Sequence, residues 1–244
     1  MDRLRPAYRL YRWAWAGLDL VYPPHCSGCG RPGSRWCVEC QSALRWVLSP
    51  VCESCGQSLS QSGLCLDCQL ALPPYTALRS VAFFEGTLRQ ALHRLKYAGD
   101  LALGEALACH LIQKYQQMDW GVELVVPVPL GIAREAERGY NQAALLAWPL
   151  ALSVGLIYRP SALIKARETR SQVGLGFVER RLNIAGAFRA DPTIVHGKTV
   201  LVVDDVTTSG ATLQACAEAL LAAGCDQVYG LTLARTSYAP LDSV

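Results

Sequence analysis

Residues 199–213, Thr-Val-Leu-Val-Val-Asp-Asp-Val-Thr-Thr-Ser-Gly-Ala-Thr-Leu, limit the fold more than any other stretch of this 244-residue chain. From Thr199 to Val203 every residue is β-branched or apolar, with no polar alternation, as expected of a strand buried on both faces of a parallel sheet. Asp204 and Asp205 then fall at the carboxyl end of that strand, the edge at which open α/β sheets hold their ligands. An ionised carboxylate only accepts hydrogen bonds, so it pairs well with the vicinal hydroxyls of a sugar. The turn from Thr207 to Thr212 directs hydroxyls and backbone N–H groups toward one point ahead of a helix, which suits a phosphate. Gly210, lacking a Cβ, lets the backbone close on that anion. The plainer alternative is an ordinary strand–turn–helix whose acids cap the turn, but the order of all the pieces points to a sugar phosphate.

The segment resembles the phosphoribosyl diphosphate (PRPP) loop of type I phosphoribosyltransferases: four apolar residues, two acids, two loop residues, a hydroxyl residue, glycine, any residue and threonine. Ser209 stands where that family most often has threonine and keeps the hydroxyl. The resemblance implies a Rossmann-like α/β fold with a parallel sheet. It also implies catalytic roles for Asp204 and Asp205, and PRPP contacts from Val206, Thr207, Thr208, Ser209, Gly210, Ala211 and Thr212. Mg²⁺ would accompany the diphosphate.

The cysteines impose a second constraint. Of 11, eight are paired: Cys26 with Cys29, Cys37 with Cys40, Cys52 with Cys55, and Cys65 with Cys68. C-x2-C-G occurs twice, ending in Gly30 and Gly56, so the arrangement is an internal repeat. Two thiolates two residues apart chelate one zinc from a tight turn, and the glycine relieves that turn. Two tetrahedral four-cysteine zinc sites are expected. One zinc with four redox-active thiols remains the alternative, and disulfides would need an oxidising compartment that nothing in the sequence supports. Cys109, Cys216 and Cys225 lie in apolar surroundings and read as small core residues. His25 borders the first pair and reads as an outer-shell or surface residue.

Hydrophobic residues make up 51% of the chain and charged residues 18%, which marks a core-forming chain and excludes intrinsic disorder. No uninterrupted apolar stretch reaches the ~18 residues of a membrane span. Arg3, Arg5, Arg9 and Arg12 precede an apolar stretch broken by Gly17 and Asp19, a poor signal peptide, so a cytoplasmic location is expected. A net charge of +3 is too mild to argue for nucleic-acid binding by itself. Those arginines do interleave with Tyr8, Tyr11, Trp13 and Trp15 on an expected helix over residues 1–22. The pattern fits either stacking on single-stranded DNA or an amphipathic helix packed on the cysteine module.

Pro23-Pro24 ends that helix, and Pro73-Pro74 marks a linker, giving expected domains of 1–72 and 73–244. Strands are expected at 80–84, 123–128, 199–203 and 228–234. Helices are expected at 86–97, with Leu88, Leu92 and Leu95 on one face, at 101–116, at 140–154 with a kink at Pro149, and from about 211 to Gly224. Strands alternating with helices imply a parallel sheet.

Four further segments match one family as a set: Leu95-Lys96-Tyr97, Val126-Pro127-Val128-Pro129-Leu130, Arg138-Gly139-Tyr140-Asn141-Gln142, and a loop with Thr169, Gln172, Leu175, Arg180, Arg181, Asn183 and Phe188. With the cysteine module they resemble the competence protein F (ComF) family over essentially the whole chain. The resemblance implies a double zinc ribbon before a phosphoribosyltransferase domain, and a link to natural transformation. It places the pyrophosphate loop at Pro127, Val128, Pro129 and Leu130, with further PRPP contacts from Lys96, Tyr97, Arg138, Asn141, Gln142, Arg170, Gln172 and Arg180. The basic stretch from Lys165 to Arg181 would close as a lid over the diphosphate. That loop also resembles glutamine–PRPP amidotransferases, but no glutaminase domain is expected here. Two functions follow: a Mg²⁺-dependent phosphoribosyltransferase of unnamed acceptor, or a catalytically silent PRPP-binding adaptor that uses its ribbons for single-stranded DNA or a competence helicase.

Overall fold

The computed structural model describes residues 5–168 and 183–237. Its centre is a five-stranded parallel sheet. The strands are β1 (Ala77–Phe83), β2 (Leu124–Pro127), β3 (Ile157–Tyr158), β6 (Thr199–Thr207) and β7 (Gln227–Arg235), in the order β1-β7-β6-β2-β3. Strand β6 runs through the middle, and its side chains alternate between two cores. Leu201 and Val203 join the helices α4 (Gly86–Tyr97), α5 (Leu103–Gln116) and α7 (Gln142–Val154) on one face. Val200 and Val202 join the helix that follows β6 and the short antiparallel pair β4 (Leu163–Lys165) and β5 (Phe188–Ala190) on the other. This two-sided burial is what the unbroken β-branched run requires, because a strand covered on both faces has no polar side to show.

The helical face of α4 is as expected: Leu88, Leu92 and Leu95 are fully buried. α7 is continuous across Pro149, which lies on its buried side, so the proline does not interrupt it. α6 (Ile132–Arg138) and strands β3 to β5 have no counterpart in the sequence reading. Strands of two or three residues are too short to show a period. The same face carries α1 (Pro6–Val21), whose Tyr8 is buried and donates to Glu105 Oε1 at 3.2 Å.

Two cysteine modules precede the sheet. In each, a C-x2-C turn faces a second pair at the start of a short helix: α2 (Val38–Ser42) begins after Cys37, and α3 (Leu66–Leu70) after Cys65. Gly30 and Gly56 close the turns at φ +80° and +69°, where a side chain would be strained. The sulfurs of Cys26, Cys29, Cys37 and Cys40 lie within 4.8 Å of one another, as do those of Cys52, Cys55, Cys65 and Cys68. Individual Sγ–Sγ separations are 3.5 Å for Cys26–Cys40, 3.7 Å for Cys29–Cys37 and 3.6 Å for Cys55–Cys65. Four sulfurs tetrahedral about one zinc at ~2.3 Å would stand ~3.8 Å apart, so both sets fit the ion. The backbone N–H of Cys37 points at Cys26 Sγ and that of Cys65 at Cys52 Sγ, each at 3.4 Å. Burial opposes a charge on these two sulfurs, but the surrounding N–H groups outweigh it and bring Cys26 down to about 6 and Cys52 to about 7.

The two modules attach differently. Cys26, Trp36, Cys40 and Leu44 of the first share the core of α4 and α5, and Trp36 Nε1 donates to His110 Nε2 at 3.1 Å. The second keeps a small cluster of its own and lies along the free edge of β1, where Leu78 N donates to Ser54 O at 2.7 Å. Arg79 and Arg235 then donate to its carbonyls at Glu53 and Cys55.

Because each set supplies a complete tetrahedral donor group, protein purified without chelator should carry two zinc ions per chain by elemental analysis. Cys40→Ser and Cys68→Ser should each remove one of them. Cys40→Ser should also lower the thermal midpoint more, because its ribbon is continuous with the main core. Equal midpoints for the two variants would contradict that difference in attachment.

Candidate functional site

The edge of the sheet sets the site. On the β2 side, β6 stops pairing at Val203, opposite Pro127, and Val128 N closes that ladder on Val203 O at 2.9 Å. On the β7 side it continues to Thr207, opposite Arg235. The strand is therefore longer than its apolar run, and Asp204 and Asp205 lie within it, paired on one side and open on the other. β2 leaves toward α7 on one face, whereas β6 leaves toward α9 (Ala211–Ala222) on the other. The crevice between them is a topological switch point, the place where such sheets bind ligands.

Both acids are buried, at 8% and 3% exposure. Burial, and next to it the charge of Asp205, push the Asp204 carboxyl well above the usual carboxylate range. Lys96 and the Asp205 N–H, which donates to Asp204 Oδ1 at 2.8 Å, pull the other way without prevailing. Lys96, in the last turn of α4, forms an ion pair with Asp205 Oδ2. Burial opposes its charge, yet the two carboxylates outweigh that effect and its pKa is raised. Gln142 Nε2 approaches Asp205 Oδ1 at 3.5 Å, and Gln142 Oε1 accepts from Arg138. Arg138 in turn lies over the Tyr97 ring, 5.2 Å from its centroid.

The segment from Arg138 to Gln142 ties three elements together. Tyr140 Oη donates to Leu95 O at 2.7 Å, beside Lys96. Asn141 Nδ2 donates to Val128 O at 2.9 Å, while its Oδ1 caps α7 by accepting from Ala143 N at 2.9 Å. One short segment thus fixes the end of α4, the loop after β2 and the polar partner of Asp205. Tyr140 was quoted in the sequence motif without a role, and its contact with α4 gives it one.

After β6 the chain turns through Thr208 and Ser209 into α9, whose N-cap is Gly210 at φ +77°. Thr207 to Gly210 line a cavity of about 210 Å³, with Cys55 and Cys68 of the second ribbon, Tyr75 and Arg235 on its other walls. A Cβ on Gly210 would stand at ordinary contact distance, 3.4 Å, from Tyr75 Oη, so it is the positive φ that favours glycine here. Tyr75 and Arg235 were not anticipated. A buried arginine closing an apolar strand was the one available signal for Arg235.

Of the remaining expected site residues, Pro127 and Val128 are buried, and Pro129 and Leu130 half-buried, in the turn between β2 and α6. Val206 is half-buried beside the acids, and Ala211 and Thr212 open α9. Arg170, Gln172 and Arg180, with Thr169, Leu175 and Arg181, lie outside the described residues. Glu168 reaches the turn after β2, accepting from Ala133 N at 3.3 Å, a contact the sequence did not suggest. Among the N-terminal aromatics, Tyr8 is buried and Tyr11 and Trp15 half-buried. Trp13 remains 65% exposed with Arg9 5.6 Å from its ring. No described helix is long and apolar enough to cross a membrane.

Comparison with known proteins agrees with this arrangement. Residues 17–69 match the double zinc ribbon domain, and residues 104–238 match the phosphoribosyl transferase domain. DNA utilization protein YhgH of Salmonella typhimurium is 33% identical over 227 residues, covering 89% of this chain and 99% of the relative. Competence protein ComFC of Bacillus subtilis is 29% identical, covering 84% and 86%. Competence protein F of Haemophilus influenzae is 27% identical, covering 82% and 90%. Among solved structures, the glutamine PRPP amidotransferase of B. subtilis aligns at TM-score 0.35 and 22% identity over 57% of this chain and 26% of that one. With two four-cysteine modules packed beside a parallel sheet, and both family models matched in that order, the chain belongs to the competence protein F family of double zinc ribbon–phosphoribosyl transferase proteins.

Proposed function

We propose that this protein binds PRPP at the switch-point crevice and transfers its phosphoribosyl group to an acceptor. The observation that carries this reading is the buried Asp204–Asp205 pair held by Lys96 and Gln142 beside the glycine-capped start of α9. In this reading residues 73–244 form the transferase and residues 1–72 the zinc-bearing part. The acids accept from the ribose hydroxyls, and Val206 to Thr212 cradle the 5′-phosphate at the helix N-terminus. Pro127 to Leu130 line the pyrophosphate, a role supported by their place one strand away and by the Asn141 clamp. Lys96, Tyr97, Arg138, Asn141 and Gln142 complete the wall, and Arg170, Gln172 and Arg180 close over the diphosphate.

The bond from the anomeric carbon to pyrophosphate breaks with its electron pair leaving on the diphosphate. The acceptor's nucleophilic atom then bonds to that carbon and loses its proton. The sugar is oxocarbenium-like at the transition state, and two carboxylates at its hydroxyls favour that developing positive charge. Mg²⁺, when bound with PRPP, would neutralise the leaving diphosphate. The oxygens of Asp204 and Asp205 suit a hard cation, and the strain of two adjacent buried carboxylates is relieved by one.

A second reading, PRPP binding without turnover, is favoured by the Lys96–Asp205 ion pair, which engages a carboxylate that the ribose needs. The names of the relatives connect either reading to DNA utilization or competence; single-stranded DNA or a competence helicase is the partner this reading proposes. Pyrophosphate release from PRPP and Mg²⁺ across a panel of candidate acceptors separates the two, since a silent binder releases none with any of them.

Asp205→Ala and Gly210→Val should each abolish PRPP binding by calorimetry while the far-ultraviolet spectrum stays that of the parent. Unchanged affinity in both would make the motif purely structural. Asp204 supplies a pH-dependent test. Its folded-state pKa is raised, so it favours the fold at low pH and weighs against it as pH rises above the unfolded value of ~3.9. Asp204→Asn should therefore melt higher than the parent at pH 8, with the gap narrowing toward pH 4, and should bind PRPP poorly. A lower melting point than the parent at pH 8 would refute the burial cost. For DNA, Trp13→Ala with Arg9→Gln should weaken single-stranded DNA binding several-fold, since stacking is worth ~1–3 kcal/mol per base. Equal binding by that variant would remove α1 as a contact surface.

A further inference from the structure

Between the first ribbon and α4 lies an open groove of about 1080 Å³, lined by Ser27 to Gly30 on one side and by Phe84, Arg89, His93, Arg94, Lys96 and Tyr97 on the other. No carboxylate lines it, and the one anionic group on its ribbon side is Cys29 of the first zinc set, across from the cations of α4. The acids at its margins are already engaged: Glu85 with Arg45 at 2.7 Å, and Asp100 with Ser27 Oγ at 2.7 Å and Arg35 at 3.7 Å. Arg89 and Arg94 are exposed and make no ion pair or side-chain hydrogen bond among the described residues. They stand on the solvent stripe of α4, opposite its buried leucines. The groove also presents flat rings. Tyr97 is 68% exposed and tilts against His93 with centroids 4.8 Å apart. At its inner end Lys96 reaches Asp205, and a smaller adjoining recess continues past Tyr97 to Glu137, Arg138 and Tyr140.

A groove with two unpaired guanidinium groups and exposed rings, joined to the proposed ribose site through Lys96, has the chemistry for an acceptor carrying both a planar ring and a negative charge. Stacking on Tyr97 and His93 would hold the ring, and Arg89 and Arg94 would hold a phosphate. A free uncharged base would leave both guanidinium groups without a role. We propose that this groove is the acceptor site and that the acceptor is nucleotide-class, either a free nucleotide or a nucleotide within a single strand. The assignment as an acceptor site rests on the PRPP reading given above, whereas binding of nucleotides in the groove can be tested without it.

The full-length, zinc-loaded protein is titrated by calorimetry with the four nucleoside monophosphates, with a ten-residue oligothymidylate, with uncharged nucleosides, and separately with PRPP and Mg²⁺. A nucleoside monophosphate or the oligonucleotide should bind at least ten-fold more tightly than the nucleosides. Arg89→Gln with Arg94→Gln should weaken that binding at least ten-fold and leave PRPP affinity unchanged, because neither arginine touches the crevice. Arg9→Gln with Arg12→Gln on α1 should leave monophosphate binding unchanged. Binding by monophosphates identifies a free nucleotide, and binding by the oligonucleotide alone identifies the strand. PRPP binding without nucleotide binding, or nucleotide binding that ignores the loss of Arg89 and Arg94, would overturn the groove. Nucleotide binding lost in that variant, in a parent that fails to bind PRPP, would overturn the crevice reading instead and leave a nucleotide site without its transfer role.

Discussion

Two adjacent carboxylates buried at a strand end set the terms for the rest of the molecule. Two like charges on neighbouring buried residues repel each other, and each also gives up its solvation by water. The chain answers with one lysine, one amide and one backbone N–H, and Asp204 still has its pKa raised. The supporting elements can be understood through this need. α4 ends where Lys96 reaches Asp205, and Tyr140 fixes that end by donating to Leu95 O. α7 begins where Gln142 reaches the same carboxylate. A sheet edge that held apolar residues at positions 204 and 205 would need none of this, which fits the ligand-binding role proposed for the crevice.

The ribbons add order that small modules cannot supply from their own cores. Fewer than ~40 residues bury too little apolar surface to fold alone, and a metal makes up the difference. The first ribbon is joined to the main core through Trp36 and Cys40, so its metal state bears on α4 and therefore on Lys96. The second ribbon forms a wall of the cavity beside Thr207 to Gly210, and Arg235 links its Cys55 carbonyl to the end of β7. Each ribbon thus packs toward a different side of the crevice, the first through α4 and the second through the cavity beside Thr207 to Gly210.

Much of this was legible in the sequence, for a physical reason. The β6 segment carries its own period, acids and glycine within 15 residues, and the cysteine pairs carry theirs, so both report locally. The face of α4 was readable for the same reason. What escaped notice depends on distant residues meeting. The β6 strand outruns its apolar stretch because β7 goes on pairing with it to Thr207, which no window around Asp204 reveals. Tyr75 and Arg235 matter only because the second ribbon folds against β1. The groove exists because the solvent face of α4 stands opposite residues 27–30; the leucine spacing identified the buried face of that helix and said nothing about what its other face would meet.

The N-terminal helix shows the same limit from the opposite side. Its interleaved arginines and aromatics fitted either a stacking surface or an amphipathic packing helix, and most of that stripe is engaged within the fold. Tyr8 donates to Glu105, Arg12 pairs with the same acid at 3.4 Å, and Trp15 lies 5.7 Å from the Arg35 guanidinium. Among the described residues, Trp13 and Arg9 pair an exposed ring with an exposed cation on that stripe, and they lie on an open helix face. On α4, Arg89, Arg94 and Tyr97 are likewise exposed, but they line a groove together with Lys96, the ion-pair partner of Asp205. An open face offers a strand one side to lean on, whereas a groove confines the ring and phosphate together and aims them at the reacting carbon. The groove supplies two free cations and a second wall where α1 offers one cation on an open face, so the α4 groove is the stronger place to expect the nucleotide.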